Sequence, residues 1–137
     1  MLQDKFGRVI DYVRWSVTDR CNLRCTYCMP EENMNFVPRK ELLSFEEMEQ
    51  MLRVFGDLGI KKLRFTGGEP FMRKDIMRFF EKVAEDSRIE HWHLTSNATL
   101  LLPHIKRLAE LNISGINLSL DTLSPERFHQ LTRRDSF

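Results

Sequence analysis

The chain has 137 residues, of which 42% are apolar and 30% charged, and its formal net charge is +1. This length suits one domain or a part of a larger one, and the composition is that of a globular protein, which argues against intrinsic disorder. The balanced charge and the lack of a long apolar run give no reason to expect nucleic acid or a membrane as a partner, and an N-terminus without a secretory signal predicts a reducing, cytoplasmic location.

Hydrophobic periodicity predicts alternating strands and helices after a polar N-terminal arm at residues 1–10. The expected strands cover Tyr12–Thr18, Ile60–Thr66, Glu90–Asn97 and Gly115–Asp121. The expected helices begin near Ser44, Ile76, Pro103 and Ser124. Between the first strand and the first helix, Met29–Lys40 contains two prolines and no periodicity, so it is predicted to be a loop.

This order of elements indicates the fold class. A strand followed by a helix, four times in succession, predicts parallel strands joined by right-handed crossovers. Four such units make half of an eight-stranded barrel, which usually takes about 250 residues. We therefore expect an α/β fold, a partial (β/α) barrel in which residues 11–137 form the βα units. The chain is expected to be a fragment of a larger barrel.

Polar and apolar residues alternate along these strands, whereas parallel strands covered on both sides usually read as continuous apolar runs. Leu63 and Phe65 share one face of the second strand, while Lys62, Arg64 and Thr66 share the other. If the polar faces line the barrel interior, burial of unpaired cations would be costly and an anionic ligand is expected there. An antiparallel sheet with one wet face, or an open barrel with a solvated polar face, would give the same alternation.

All three cysteines, Cys21, Cys25 and Cys28, lie within eight residues. A short loop can bring such thiolates onto one inorganic centre, and three ligands leave a coordination position open for chemistry. The odd count argues against a disulfide framework, and the polar neighbours Asn22 and Arg24 argue against a core position. The spacing alone leaves open an iron–sulfur cluster, a zinc site completed by a distant histidine, and inert cysteines.

The turn Gly67-Gly68-Glu69-Pro70 follows the second predicted strand, at the edge where parallel α/β structures collect their ligand sites. Paired glycines let a backbone approach a ligand closely and are expected to expose unpaired amides and carbonyls. Alone, the motif is more often just a turn. Next to a cationic strand and a three-thiolate loop, it predicts a ligand site.

Together, Cys21-x-x-x-Cys25-x-Tyr27-Cys28 and Gly67-Gly68-Glu69-Pro70 resemble the radical S-adenosylmethionine (SAM) superfamily. The resemblance implies that the three thiolates hold a 4Fe-4S cluster whose open iron binds SAM. Reductive cleavage of SAM then yields a 5'-deoxyadenosyl radical that abstracts hydrogen from a substrate. Within the superfamily, residues 14–21, 28–30 and 61–73 resemble the GTP 3',8-cyclase family, which acts first in molybdenum cofactor biosynthesis.

The resemblance also implies roles for individual residues. The implied cluster ligands are Cys21, Cys25 and Cys28; the implied SAM-binding residues are Tyr27, Gly68, Glu69 and Ser119; the implied GTP-binding residues are Arg14, Lys62, Arg64 and Thr95. Ala98 stands where the family usually has glycine, so the turn after the third strand is expected to be less permissive.

GTP is the implied substrate, with an electron donor for the cluster and a homodimer as further implied partners. The family continues through further barrel strands and a C-terminal domain with a second cluster. The resemblance therefore implies that this chain is the N-terminal portion of a radical SAM core domain, with the C-terminal domain absent, and that it does not cyclise GTP alone. The alternatives are another radical SAM enzyme, such as a peptide modifier, and a zinc-stabilised binding module.

Overall fold

The computed structural model describes residues 2–29 and 35–137. A short antiparallel hairpin, β1 (Leu2–Gln3) and β2 (Val9–Ile10), forms the N-terminal arm. Four further strands then pair in parallel in the order β3-β4-β5-β6. They cover Tyr12–Ser16 (β3), Lys62–Thr66 (β4), His91–Ser96 (β5) and Gly115–Leu118 (β6). This sheet confirms the predicted α/β class and the partial barrel.

A helix follows each strand of the parallel sheet. The helices are α1 (Phe45–Leu58), α2 (Ile76–Glu85), α3 (Ile105–Glu110) and α4 (Pro125–Thr132), with short 3₁₀ helices at Arg39–Glu41, Pro70–Met72 and Leu102–His104. Helix α1 begins after Ser44 because the Ser44 hydroxyl accepts the N–H of Glu47 while the Glu47 carboxylate accepts the N–H of Ser44. None of the described helices is long and apolar enough to cross a membrane.

The structure differs from the sequence prediction mainly at the edge strand β6 and in the loop before α1. Strand β6 ends at Leu118 rather than Asp121, because its partner β5 ends at Ser96, which pairs with Leu118. Leu118, at the end of β6, and Leu120, two residues beyond it, are 56% and 55% exposed, and β6 is the edge strand of the sheet. In the predicted loop Met29–Lys40, residues 30–34 lie outside the described residues, and the last two belong to a 3₁₀ helix.

The hydrophobic core lies between one face of the sheet and the helices. Leu63, Phe65 and Leu94 from β4 and β5 have no exposed surface. The Phe65 and Phe79 rings pack edge to face with centroids 5.7 Å apart, which joins the sheet to α2. Burying each such side chain stabilises the fold by about 1.5–3 kcal/mol. The apolar face of the sheet therefore packs against the helices, and the polar residues that alternate with the apolar ones lie on the opposite face.

Candidate functional site

The three cysteines lie in an irregular loop that directly follows β3. Cys21 and Cys25 are half-buried, Cys28 is exposed, and none forms a disulfide. The neighbouring apolar side chains Leu23 and Met29 are only 4% and 9% exposed. They fix the loop to the protein while the thiols stay accessible, which is the arrangement that a bound inorganic group requires.

The C-terminal end of α4 holds the middle of the cysteine loop. The N–H groups of Arg24 and Thr26 donate to the carbonyls of Thr132 and Leu131, both at 2.9 Å. Carbonyls in the last turn of a helix have no partner within the helix, so they are free to accept these bonds. The sequence predicted α4 but gave no sign that it docks on this loop, because backbone pairing leaves no residue-type signal.

The turn Gly67-Gly68-Glu69 packs against the residues that lead into the loop. The N–H of Gly68 donates to the Thr18 carbonyl and the N–H of Glu69 to the Arg20 carbonyl, both at 2.8 Å. A Cβ at Gly68 would lie 2.2 Å from the Arg20 carbonyl oxygen, and one at Gly67 would lie 2.3 Å from that of Thr18. Glycine is therefore required here by a close approach of two backbones.

This packing corrects part of the expectation that the glycine pair exposes unpaired amides and carbonyls, because the Gly68 amide is not free for a ligand. The amides of Gly68 and Glu69 are used to hold the chain next to Cys21. Among the described residues no donor bonds the carbonyl oxygens of Gly67 and Gly68. These two carbonyl oxygens are acceptors that the turn can offer a ligand, and acceptors suit an ammonium group.

Glu69 has no exposed surface, and its carboxylate binds the end of β5. It accepts the Ser96 hydroxyl at 2.9 Å, the Asn97 N–H at 2.8 Å and the Phe71 N–H at 3.3 Å. Burial raises the pKa of the Glu69 carboxyl, although these hydrogen bonds act in the opposite direction. The Glu69 side chain therefore holds the turn after β4 to the end of β5, and its backbone N–H and carbonyl are bonded to Arg20 and Met72.

A second polar network joins the cysteine loop to the turn after β5. The Asn97 amide donates to the Asn22 side-chain oxygen at 3.0 Å and lies 3.6 Å from the Cys21 sulfur. The Asn22 amide in turn donates to the Thr99 hydroxyl at 2.7 Å. The sequence analysis did not identify Asn22 or Asn97 as site residues, since an asparagine in a loop is usually only a turn residue.

Tyr27 links the loop to the segment after β6. Its ring is 66% exposed, and its hydroxyl donates to the Asp121 carboxylate at 2.6 Å. That hydrogen bond raises the pKa of the Tyr27 phenol above its ordinary range. Ser119, a further predicted SAM contact, lies in the segment after β6. It is exposed, and its N–H donates to the Ser96 carbonyl at 2.9 Å. Tyr27, Gly68 and Ser119 therefore share the carboxyl edge of the sheet.

The chemistry of the thiols can be compared with the two metal groups considered from the sequence. Burial raises the pKa of the Cys25 thiol; the Tyr27 hydroxyl lowers it, and Cys21 and Cys28 raise it further, so the three sulfurs act on one another. Within residues 2–29 and 35–137, no three His, Cys, Asp or Glu side chains are arranged to hold a single metal ion.

The donor set nevertheless fits an iron–sulfur cluster better than zinc. A structural zinc ion needs four ligands that close around one point, whereas a four-iron cube is held by cysteines at separate corners. The Leu23 N–H donates to the Cys21 sulfur at 3.4 Å, and hydrogen bonds of this kind tune the reduction potential of a cluster. Oδ1 of Asp19 is buried without a partner among the described residues, which leaves a further acceptor beside the loop.

The sheet face opposite the helices carries the predicted substrate residues, and we call it the polar face. The strand register places Arg14 beside Arg64, and Arg64 beside His93, in one row across the sheet. Arg14 and Lys62 are exposed, whereas Arg64 and Thr95 are half-buried. The side chains assigned to GTP from the resemblance thus lie on one face of three neighbouring strands.

The polar face is positively charged. Within the described part of the chain, Arg14, Lys62 and Arg64 form no salt bridge. Cations elsewhere do have acidic partners; for example, Lys61 lies 2.6 Å from Glu90. Three cations without a carboxylate beside them form a surface that favours an anion.

Comparisons with known proteins agree with this geometry. Residues 15–137 match the family model described as the Radical SAM superfamily. Relatives named GTP 3',8-cyclase are 46% identical over 97% of this chain in Listeria welshimeri, 48% over 96% in Saccharophagus degradans and 47% over 95% in Mesorhizobium japonicum. In each case the chain spans about 40% of the length of the relative. The chain belongs to the radical SAM superfamily.

Proposed function

We propose that the chain is the N-terminal, radical-generating part of a GTP 3',8-cyclase, the first enzyme of molybdenum cofactor biosynthesis. One observation carries the proposal: the cysteine loop lies at the carboxyl edge of the same sheet whose polar face holds Arg14, Lys62 and Arg64 without acidic partners. Membership of the superfamily implies an iron–sulfur cluster and SAM. The names of the relatives supply GTP as the substrate.

In this proposal Cys21, Cys25 and Cys28 bind a 4Fe-4S cluster. When bound, the cluster supplies the electron that cleaves SAM reductively. The chain's own residues bind and orient SAM: the carbonyl of Gly68 accepts its ammonium group, the exposed ring of Tyr27 packs against its adenine, and Ser119 contacts it from the segment after β6. Glu69 supports these contacts from inside the protein, where its carboxylate bonds Ser96 and Asn97.

The polar face binds the substrate. Arg14, Lys62 and Arg64 donate charge-assisted hydrogen bonds to phosphate oxygens, and Arg64 is held most firmly because it is half-buried between neighbouring strands. The Thr95 hydroxyl supplies an uncharged donor one row closer to the cysteine loop. The face can therefore hold a polyphosphate next to the radical-generating edge.

The chain corresponds to only part of the relatives, so we propose that it forms the N-terminal portion of a radical SAM core and does not cyclise GTP by itself. An external electron donor for the cluster and assembly into a homodimer belong to the same proposal. We also propose a reducing, cytoplasmic location, which suits three unpaired thiols.

Anaerobic reconstitution with iron and sulfide tests the cluster assignment. We expect about four irons per chain and the absorption and paramagnetic resonance spectra of a 4Fe-4S cluster. Cys25→Ala is expected to abolish assembly, because two thiolates do not hold the cube. One zinc and no iron after anaerobic purification would contradict the assignment and favour a zinc-stabilised binding module.

Binding measurements on the reconstituted chain test the substrate assignment. Arg64→Met is expected to weaken GTP binding about 10-fold or more, since it removes a charge-assisted contact. Lys61→Met is the matched control, because Lys61 precedes the same strand but pairs with Glu90. GTP affinity that is the same in both variants would contradict the role of the polar face and favour another radical SAM enzyme, such as a peptide modifier.

A further inference from the structure

His93 lies in the middle of the polar face, yet the resemblance assigns it no role. It belongs to β5, and the strand register puts it directly beside Arg64 on β4 and Gly115 on β6. Neighbouring strands are about 4.8 Å apart, so the imidazole is within reach of any anion that binds Arg64. His93 is half-buried, which limits the positions that its ring can take.

Gly115 provides the space for this ring. A Cβ built at Gly115 would lie 3.2 Å from Nδ1 of His93 and 3.7 Å from its Cε1. The imidazole therefore lies over the backbone of β6, where a larger residue would crowd it. This contact places Nδ1 of His93 next to the backbone of β6, on the polar face.

The charges around His93 are all of one sign. The groups that face it are Arg64 and Lys62 on β4 and His91 on its own strand, while β6 contributes only Gly115 and the uncharged Asn117. Burial lowers the pKa of His93 below its ordinary value of 6.5 and is the largest effect. Arg64, His91 and Lys62 lower this pKa further, in that order. Without an anion on the face, the imidazole is therefore neutral at neutral pH.

We propose that His93 is a proton-switched ligand for the phosphates that bind the polar face: it takes up a proton when they bind beside Arg64 and loses the proton when they leave. The inference rests on the proposed function, because it assigns the anion on this face to the substrate. A bound polyphosphate supplies the negative charge that the empty face lacks, and it favours the imidazolium. The switch thus adds a cation only while the substrate is present.

The direction of the pH dependence follows from linkage. Because the pKa of His93 is higher in the bound state than in the empty state, affinity rises as the pH falls from the bound-state pKa to the empty-state pKa. It is constant outside that interval. Each unit of difference between the two pKa values corresponds to a tenfold change in affinity.

Proton NMR of the histidine side chains in the reconstituted chain tests the proposal, with inorganic tripolyphosphate as the probe. We expect the His93 midpoint to lie below 6.5 without the probe and to rise by about one unit or more when the probe saturates the face. The histidine resonance that is missing from the spectrum of His93→Gln is the one that belongs to His93. A His93 midpoint that does not move at saturation overturns the inference.

Calorimetric titration gives an independent readout. The quantity compared is the ratio of the tripolyphosphate affinity of wild type to that of His93→Gln. This ratio is expected to be about 10-fold higher at the acid end of the interval than at alkaline pH. The probe's own protonation cancels in this comparison. His129→Gln is the matched control, because His129 pairs with Asp135 away from the sheet and should keep the wild-type profile.

The outcomes separate this inference from the proposed function. If tripolyphosphate and GTP bind in an Arg64-dependent way while His93→Gln keeps the wild-type pH profile, His93 is not a ligand and the proposed function stands. If neither compound binds the wild-type chain, the substrate assignment of the polar face fails, and the role of His93 is overturned with it.

Discussion

The buried carboxylate of Glu69 accepts the N–H of Asn97 at 2.8 Å and so joins the turn after β4 to the turn after β5. The same carboxylate holds the Ser96 hydroxyl at 2.9 Å. Asn97 then reaches the cysteine loop through Asn22. One acidic side chain therefore fixes the relative positions of the two turns that flank the cysteine loop, and the geometry of the site depends on it.

Glu69→Ala is expected to destabilise the fold by roughly 2–4 kcal/mol, because it leaves the Ser96 hydroxyl and the Asn97 N–H buried without acceptors. Urea denaturation followed by circular dichroism measures the change. Glu85→Ala is the control, since Glu85 forms only an exposed ion pair with Lys82 and should change stability by less than about 0.5 kcal/mol. Equal effects of the two variants would refute the structural role of Glu69.

The ionisation of Glu69 is expected to make stability depend on pH. Burial raises its pKa in the folded state above the ordinary value of 4.5, so its contribution to the free energy of unfolding increases as the pH falls through the folded-state pKa toward 4.5. Glu69→Gln removes this titration. The stability of wild type relative to Glu69→Gln should therefore improve on acidification, and a constant difference across that range would show that the pKa is not raised.

The sequence predicted the elements and the polar face because both follow from local periodicity. The alternation in β4 separates Leu63 from Arg64 whatever the rest of the chain does. The anchors of the cysteine loop were not predictable in the same way. The Thr132 carbonyl bonds Arg24 across more than a hundred residues, and the Glu69 carboxylate bonds Ser96 and Asn97 on the next strand and turn. Such contacts depend on tertiary packing, which periodicity does not encode.

The glycine pair gives a sharp test of how the cysteine loop docks. Gly68→Ala places a Cβ 2.2 Å from the Arg20 carbonyl, so the loop must move away from the turn. We expect lower iron content after anaerobic reconstitution and a loss of about 2 kcal/mol or more in the free energy of unfolding. Iron analysis and urea denaturation measure the two effects.

Gly56→Ala is the matched control for Gly68→Ala. A Cβ there would lie 2.6 Å from Nε of Arg88, so it meets a side chain on the protein surface and not a backbone carbonyl. Because Gly56 lies inside α1, alanine raises helix propensity by up to about 1 kcal/mol. Full iron loading in both variants would mean that the glycine turn does not position the cysteines.

Ala98 adopts a left-handed backbone conformation, with φ of 69°. The sequence analysis expected a less permissive turn here, and the structure gives the reason: a Cβ is unfavourable in this conformation by about 1–2 kcal/mol. Ala98→Gly should therefore stabilise the chain by about 1 kcal/mol in thermal or urea unfolding. Ala84→Gly, at an exposed position inside α2, should instead destabilise it by a similar amount. Destabilisation by both changes would contradict the strain at Ala98.

The hydrogen bond between Tyr27 and Asp121 should be visible in the ionisation of tyrosine. The chain has two tyrosines, so Tyr12→Phe leaves Tyr27 as the only one. Asp121→Asn removes the carboxylate that accepts the phenolic proton at 2.6 Å, and Tyr27 should then ionise at lower pH. Alkaline titration followed by ultraviolet absorbance measures this midpoint. Glu126→Gln is the control, because Glu126 bonds Ser124 instead of Tyr27. If Asp121→Asn and Glu126→Gln leave Tyr27 with the same midpoint, Asp121 does not hold the phenol. The hydrogen bond that joins the cysteine loop to the segment after β6 would then be refuted.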